Sequence, residues 1–147
     1  EERVDAIIKE RDQLTHEIEK LHEHMAVTQF ENLQPVEVKG IQLLTGLIVD
    51  ANAETLRNLA DRFRSKYSTS VVVLGTVEKG RPLIMASVSK DLLSRGLHAG
   101  ELVRAIAPKI GGGGGGNPTM AQAGGKDPEK LSEALAVVES WIREHLS

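Results

Sequence analysis

The residues best suited to recognising a ligand lie between Gly111 and Gly125, which read GGGGGGNPTMAQAGG. Gly111, Gly112, Gly113, Gly114, Gly115 and Gly116 carry no Cβ, so another surface can approach their backbone closely. Uncovered N–H groups in series can form an anion-binding concavity, and a helix N-terminus nearby adds the positive end of a dipole. Lys109 and Lys126 bracket the segment, and Asn117 follows the glycines directly. A flexible linker is the competing reading. The run lacks the Ser, Thr and Glu that linkers mix in, runs on into Met120-Ala121-Gln122-Ala123, and closes with Gly124-Gly125. These features put a constrained, recognition-competent loop ahead of the linker. It is not a GxxxxGK[ST] loop, because Asn117 follows Gly116. Nor is it GxGxxG after a strand, because helix-patterned residues 99–107 precede it. That disfavours a mononucleotide and leaves close docking of a nucleic-acid backbone or of another protein's backbone.

Charge supports a polyanion over a small substrate. Residues 36–126 hold 12 basic and 7 acidic side chains, a net of +5, whereas residues 1–35 carry −5 and residues 127–147 carry −3. The chain's overall charge of −3 conceals this separation. Four of the basic residues, Arg57, Arg62, Arg64 and Lys66, fall on one predicted helix, a pattern that suits a solvated face as well as an RNA contact. Catalysis finds no footing. There is no cysteine, and Asp50, Asp61 and Asp91 are scattered where capping and surface ion pairs account for them. His22 and His24 do not face each other on a helix, and His16 falls on an outer position. His98 and His145 are isolated, so no metal site is expected.

The positioning elements follow from periodicity. Val4, Ile7, Leu14, Ile18, Leu21 and Met25 alternate as a and d positions of a heptad, with Arg11 and Thr28 as polar intruders. That predicts a coiled-coil-like helix, although Ile8 and Val27 widen the stripe toward that of a core-facing helix. Residues 1–35 are read as a helical oligomerisation segment, ended by Leu33-Gln34-Pro35, and residues 36–147 as a globular domain. Strands are predicted over 36–39, 41–49, 70–77 and 83–88, with Gly40 and Gly46 as kinks or bulges. Helices are predicted over 53–66, with Asn52 as N-cap, over 90–95, and over 99–107, ended by Pro108. A final helix over 127–146 has Asp127 as N-cap and Pro128 at its first position. The fold class is thus α/β (α+β), a mixed β-sheet flanked by helices with a glycine-rich loop. The longest apolar runs are too short to span a bilayer, and the opening inside a helical pattern, without Met, reads as a piece of a longer protein.

GGGGGGNPTMAQAGG closely resembles the glycine-rich motif of the C-terminal domain of alanyl-tRNA synthetase, a member of the DHH-associated domain family. The order of heptad helix, strand, helix, hairpin, helix, glycine segment and final helix bearing Trp141 extends the resemblance over essentially the whole chain. It implies a cytoplasmic domain that helps hold tRNA(Ala) near the outer corner of the L and forms a homodimer through its N-terminal helix. It also implies a link between upstream aminoacylation and editing domains, which would carry the ATP, magnesium and zinc of the parent ligase; this stretch needs no cofactor. The implied tRNA-contact set is Arg57, Arg62, Arg64, Lys66, Lys109, Gly111 to Gly116, Asn117 and Lys126. One departure stands out. The family commonly has Arg-Pro-Asp after the glycines, where this chain has Asn117-Pro118-Thr119, so a cation and an anion are absent. Related DHH phosphoesterases place a His after a shorter glycine run, and none stands here. A protein–protein module without RNA contact is the alternative.

Overall fold

The centre of the sheet is Ser70–Glu78, whose unbroken apolar run has one physical outcome: burial on both faces. Val71 and Val73 join one core cluster, and Val72 and Leu74 join another on the opposite face. The computed structural model describes residues 24–49 and 51–145. Val4, Ile7, Leu14, Ile18 and Leu21 lie outside the described residues, as do His16, His22 and Asp50.

Helix α1 (residues 24–31) leads into β1 (Val36–Val38), β2 (Ile41–Leu47), α2 (Ala53–Lys66), β3 (Ser70–Glu78) and β4 (Arg81–Val88). After a 3₁₀ turn come α3 (Ala99–Ile106), a second 3₁₀ turn (Ala107–Ile110), β5 (Gly113–Gly116) and β6 (Met120–Gly124). A third 3₁₀ turn precedes α4 (Leu131–Ala136) and α5 (Val138–His145). The six strands lie in the order β1-β2-β3-β4-β6-β5. Only β2 and β3 are parallel, joined by the α2 crossover; the other pairs are antiparallel. Phe30 of α1 and Leu56, Leu59 and Phe63 of α2 pack on one face against Leu44, Val72, Leu74 and Met85. Leu102, Val103 and Ile106 of α3 and Leu131, Val138 and Ile142 of α4 and α5 cover the other, against Val71, Val73, Ile84 and Ala86.

The α2 prediction holds to the residue, and Asn52 Oδ1 accepts the Thr55 N–H at 2.8 Å as its cap. Three expectations need correction. Gly40 is neither kink nor bulge: Lys39-Gly40 and Lys79-Gly80 both have positive φ and form the two-residue hairpin turns of β1–β2 and β3–β4. Gly46 stays in regular register with Leu74, and a Cβ there would meet the Leu33 side chain, which folds over the strand. α3 does give out just before Pro108, which sits in the 3₁₀ turn that follows. Asp127 makes no side-chain cap, and the final helix is split at Val137. The missing cap goes with the backbone at Asp127: the Lys126 and Asp127 N–H groups both donate to the Ile110 carbonyl, at 2.8 and 2.9 Å. That tie holds Asp127 at φ −109°, ψ 83°.

The end of the N-terminal helix packs into the domain across residue 35. Ala26 and Phe30 are buried, and the Phe30 ring meets Phe63 edge-on at 6.3 Å. Gln29 grips the β2 exit from both sides, accepting the Val49 N–H at 2.8 Å and donating to the Val49 carbonyl at 3.2 Å. Met25, one turn earlier, is 49% exposed. Phe30→Ala should therefore lower unfolding stability by about 3–4 kcal/mol, as for other buried aromatics. A denaturant midpoint unchanged in Phe30→Ala would mean that α1 is not part of the folded body.

Candidate nucleic-acid interface

The glycines form an edge strand, not a loop. Gly113, Gly114, Gly115 and Gly116 pair antiparallel with Gly124, Ala123, Gln122 and Ala121 of β6. β6 itself went unpredicted, because Ala and Gly have low strand propensity. Its signal was the alternation of buried Ala121 and Ala123, which face α3, with Met120, Gln122 and Gly124. The turn between the strands is held by its backbone. The Asn117 N–H donates to the Met120 carbonyl (2.8 Å), the Pro118 carbonyl accepts from Ala99 at the start of α3 (2.7 Å), and the Thr119 carbonyl accepts from Val88 (2.8 Å).

Paired residues in an antiparallel ladder alternate between bonded and non-bonded. The Asn117–Met120 bond therefore directs Gly115 and Gly113 to β6 and turns Gly112, Gly114 and Gly116 outward. Gly112 spends its N–H on the Ala107 carbonyl, and Gly111 on that of Pro108. The Gly116 carbonyl lies against Gly100 of α3, 3.2 Å from where a Cβ would stand. What remains open is the Gly114 N–H and carbonyl and the Gly116 N–H. The expected concavity of six free amides is thus reduced to two N–H groups on a straight edge.

The same alternation explains the demand for glycine. A Cβ on Gly112 would run into the Gly124 carbonyl, and one on Gly114 into the Gln122 carbonyl and Ala123. A Cβ on Gly116 would lie 2.6 Å from the Met120 carbonyl. Gly113 has open space around it. At Gly115 the nearest neighbour is Arg104 of α3, whose Nε would sit 3.6 Å from a Cβ.

The structure divides the predicted basic residues. Arg57 and Asp61 of α2 face the hairpin across a groove of about 540 Å³, lined also by Gly115, Gly116, Asn117, Met120 and Gln122. Arg64 is drawn inward: Nη1 donates to Ser87 Oγ at 3.3 Å and lies 3.7 Å from Asp61, leaving the side chain 28% exposed. Arg62 and Lys66 are not brought to the glycines. They line a pocket on the far side of α2 with Phe30 and Tyr67, the Lys66 Nζ standing 5.5 Å from the Tyr67 ring centre. Lys109 is exposed on the 3₁₀ turn, and Lys126 lines a separate cleft at the other end of the hairpin. Arg104 was missed by sequence reasoning. It is exposed on α3, opposite the buried Leu102, Val103 and Ile106, and that stripe was the available signal. Of the histidines, His98 stands 3.7 Å from Glu101, and His145 stacks on Trp141 at 4.1 Å.

Residues 40–144 match the DHHA1 domain model. The chain belongs to the DHHA1 domain family, which includes the C-Ala domain of alanyl-tRNA synthetase. Against the crystal structure of that domain from Aquifex aeolicus, the TM-score is 0.68 at 30% identity, over 75% of this chain and 98% of the other. The chain is 40% identical to the alanine–tRNA ligase of Geobacillus kaustophilus (strain HTA426) over 143 residues, 96% of this chain and 16% of that protein. It is 49% identical to the alanine–tRNA ligase of Bacillus subtilis (strain 168) over 107 residues, 73% of this chain and 12% of that protein. The chain thus spans about a sixth or less of the length of these relatives. The DHHA1 fold with a mixed sheet flanked by helices agrees with the sequence reading, and the glycine run expected to be a loop is a β-strand.

Gly114→Ala should lower stability by about 1–3 kcal/mol, because the methyl has only β6 backbone to move into. Gly113→Ala should be close to neutral. Equal denaturant midpoints for the two variants would contradict the assigned register.

Proposed function

We propose that this DHHA1 domain holds tRNA(Ala) for an alanyl-tRNA synthetase and helps bring the bound tRNA to the aminoacylation and editing domains of the same cytoplasmic enzyme. The observation that carries the reading is the edge of β5, where open Gly114 and Gly116 amides lie between Arg57 on one face of the sheet and Arg104 on the other. Amide donors on a Cβ-free edge, with a cation on each flank, suit a ribose-phosphate backbone laid along the strand. The similarity to alanine–tRNA ligases and to the C-Ala domain supplies the parent enzyme. ATP, magnesium and zinc then belong to the parent's other domains. Exposed Met25, at a heptad position of the N-terminal helix, agrees with a homodimer built on Val4, Ile7, Leu14, Ile18, Leu21 and Met25.

A second reading, docking on another protein without RNA contact, is favoured by one feature. Leu47, Val49 and Val77 are exposed together at the far ends of β2 and β3. Gel shifts with full-length tRNA(Ala) and with the isolated acceptor stem separate the readings. Tight binding of the tRNA, lost with the stem and weakened by Arg57→Glu and Arg104→Glu, is the expected result. No shift with either RNA, alongside association lost on Leu14→Asp and Leu21→Asp, would favour the protein-docking reading.

A further inference from the structure

A larger cleft, of about 1020 Å³, opens at the other end of the β5–β6 hairpin. One wall is the β3–β4 turn with Glu78, Lys79, Gly80 and Arg81; the other is Gly111, Gly112, Gly125 and Lys126. Lys79, Arg81 and Lys126 are exposed and have no ion pair or hydrogen bond among the described side chains. Glu78 faces Arg81 across the turn in register, yet the two form no ion pair. Three unpaired cations therefore line the cleft with one carboxylate, Glu78, while the Asp127 carboxylate lies beside Gly111 at its edge.

The walls are bare for a steric reason. A Cβ on Gly112 would strike the Gly124 carbonyl, and one on Gly125 the Ile110 carbonyl. Their amides are nevertheless not available to a ligand: Gly111, Gly112, Gly125 and Lys126 donate to Pro108, Ala107, Pro82 and Ile110. On the glycine wall a small anion would find exposed cations but no free N–H cradle, which argues against a phosphate or nucleotide pocket there. A long polyanion meets something different. β6 spans roughly 14 Å at about 3.4 Å per residue, with Arg57 and Arg104 near one end and Lys79, Arg81 and Lys126 at the other.

Resting on the tRNA reading above, we infer that this cleft is a second contact for the RNA phosphodiester backbone. The RNA strand runs along the β5–β6 hairpin from the Arg57–Arg104 end to the Lys79–Arg81–Lys126 end. This contact positions the RNA and reads no base.

The test uses the full chain and fluorescence anisotropy with tRNA(Ala), and with an unrelated single-stranded RNA, across a salt series. Lys79→Asn removes the charge with a residue that tolerates the positive φ of the turn; Arg81→Gln and Lys126→Gln remove the other two. Lys39→Asn, the same change in the same kind of turn at the β1–β2 hairpin, is the control. Each cleft variant should lower the slope of log K against log salt by about 0.7–0.9, alike for both RNAs, while Lys39→Asn leaves it unchanged. Melting temperatures should match the parent's, since all these positions are exposed. Slopes unchanged in the cleft variants, with tRNA still bound, would overturn the cleft and leave the tRNA reading intact. No binding of tRNA by the parent chain at low salt would overturn both. Binding of adenosine monophosphate that is lost in the cleft variants would also overturn the inference, by making the cleft a nucleotide pocket.

Discussion

The approach of β5 to β6 is the contact on which the rest of the domain depends. At Gly112, Gly114 and Gly116 the neighbouring backbone occupies the place a Cβ would take, so the approach of the two strands depends on glycine at these three alternate positions. Its placement fixes much else. α3 settles over the hairpin through Gly100, whose missing side chain admits the Gly116 carbonyl, and through the Ala99 bond to Pro118. The 3₁₀ turn before the glycines and the chain after them meet at the Ile110 carbonyl, which closes the base of the hairpin. A sheet edge is ordinarily a liability open to pairing with other chains. Here the edge is short, without side chains and flanked by cations, features that suit a polyanion better than a further strand.

This geometry changes the chemistry that glycine can offer. A glycine-rich loop recognises anions by pointing several N–H groups at one centre. A glycine strand spends alternate N–H groups on its partner and spaces the remainder along a line. Such a surface has too few convergent donors to hold a small ligand, and most of its attraction comes from long, solvated side chains. Recognition of this kind is extended, sensitive to salt and indifferent to base identity. Under the proposed tRNA role, shape, carried by where the cations stand around the hairpin, would decide which RNA fits.

The parts of the fold legible in the sequence are those whose side chains report their surroundings. α2 declared itself through Asn52 and the Leu56, Leu59, Ala60, Phe63 stripe, and β3 through an apolar run with no polar face. Glycine has no side chain to alternate, so Gly113–Gly116 carried no strand signal at all. Its partner was spelled in Ala and Gly, and the pairing of the two is a tertiary fact. The basic residues of α2 show the same limit. Arg57, Arg62, Arg64 and Lys66 look equivalent as letters, but the buried stripe parts Arg57 from Arg62 and Lys66, and Ser87 on a strand more than twenty positions away draws Arg64 inward. Arg104 is legible only through the Leu102, Val103 and Ile106 stripe of α3, which leaves it on the outer face.

Amide hydrogen exchange, resolved residue by residue across Gly111–Gly116, tests the central claim most directly. The account predicts alternation: Gly113 and Gly115 protected by bonds to β6, Gly114 and Gly116 exchanging freely and slowing when RNA is added. Uniformly fast exchange through all six glycines would contradict it, because the segment would then be a loop and the edge would not exist.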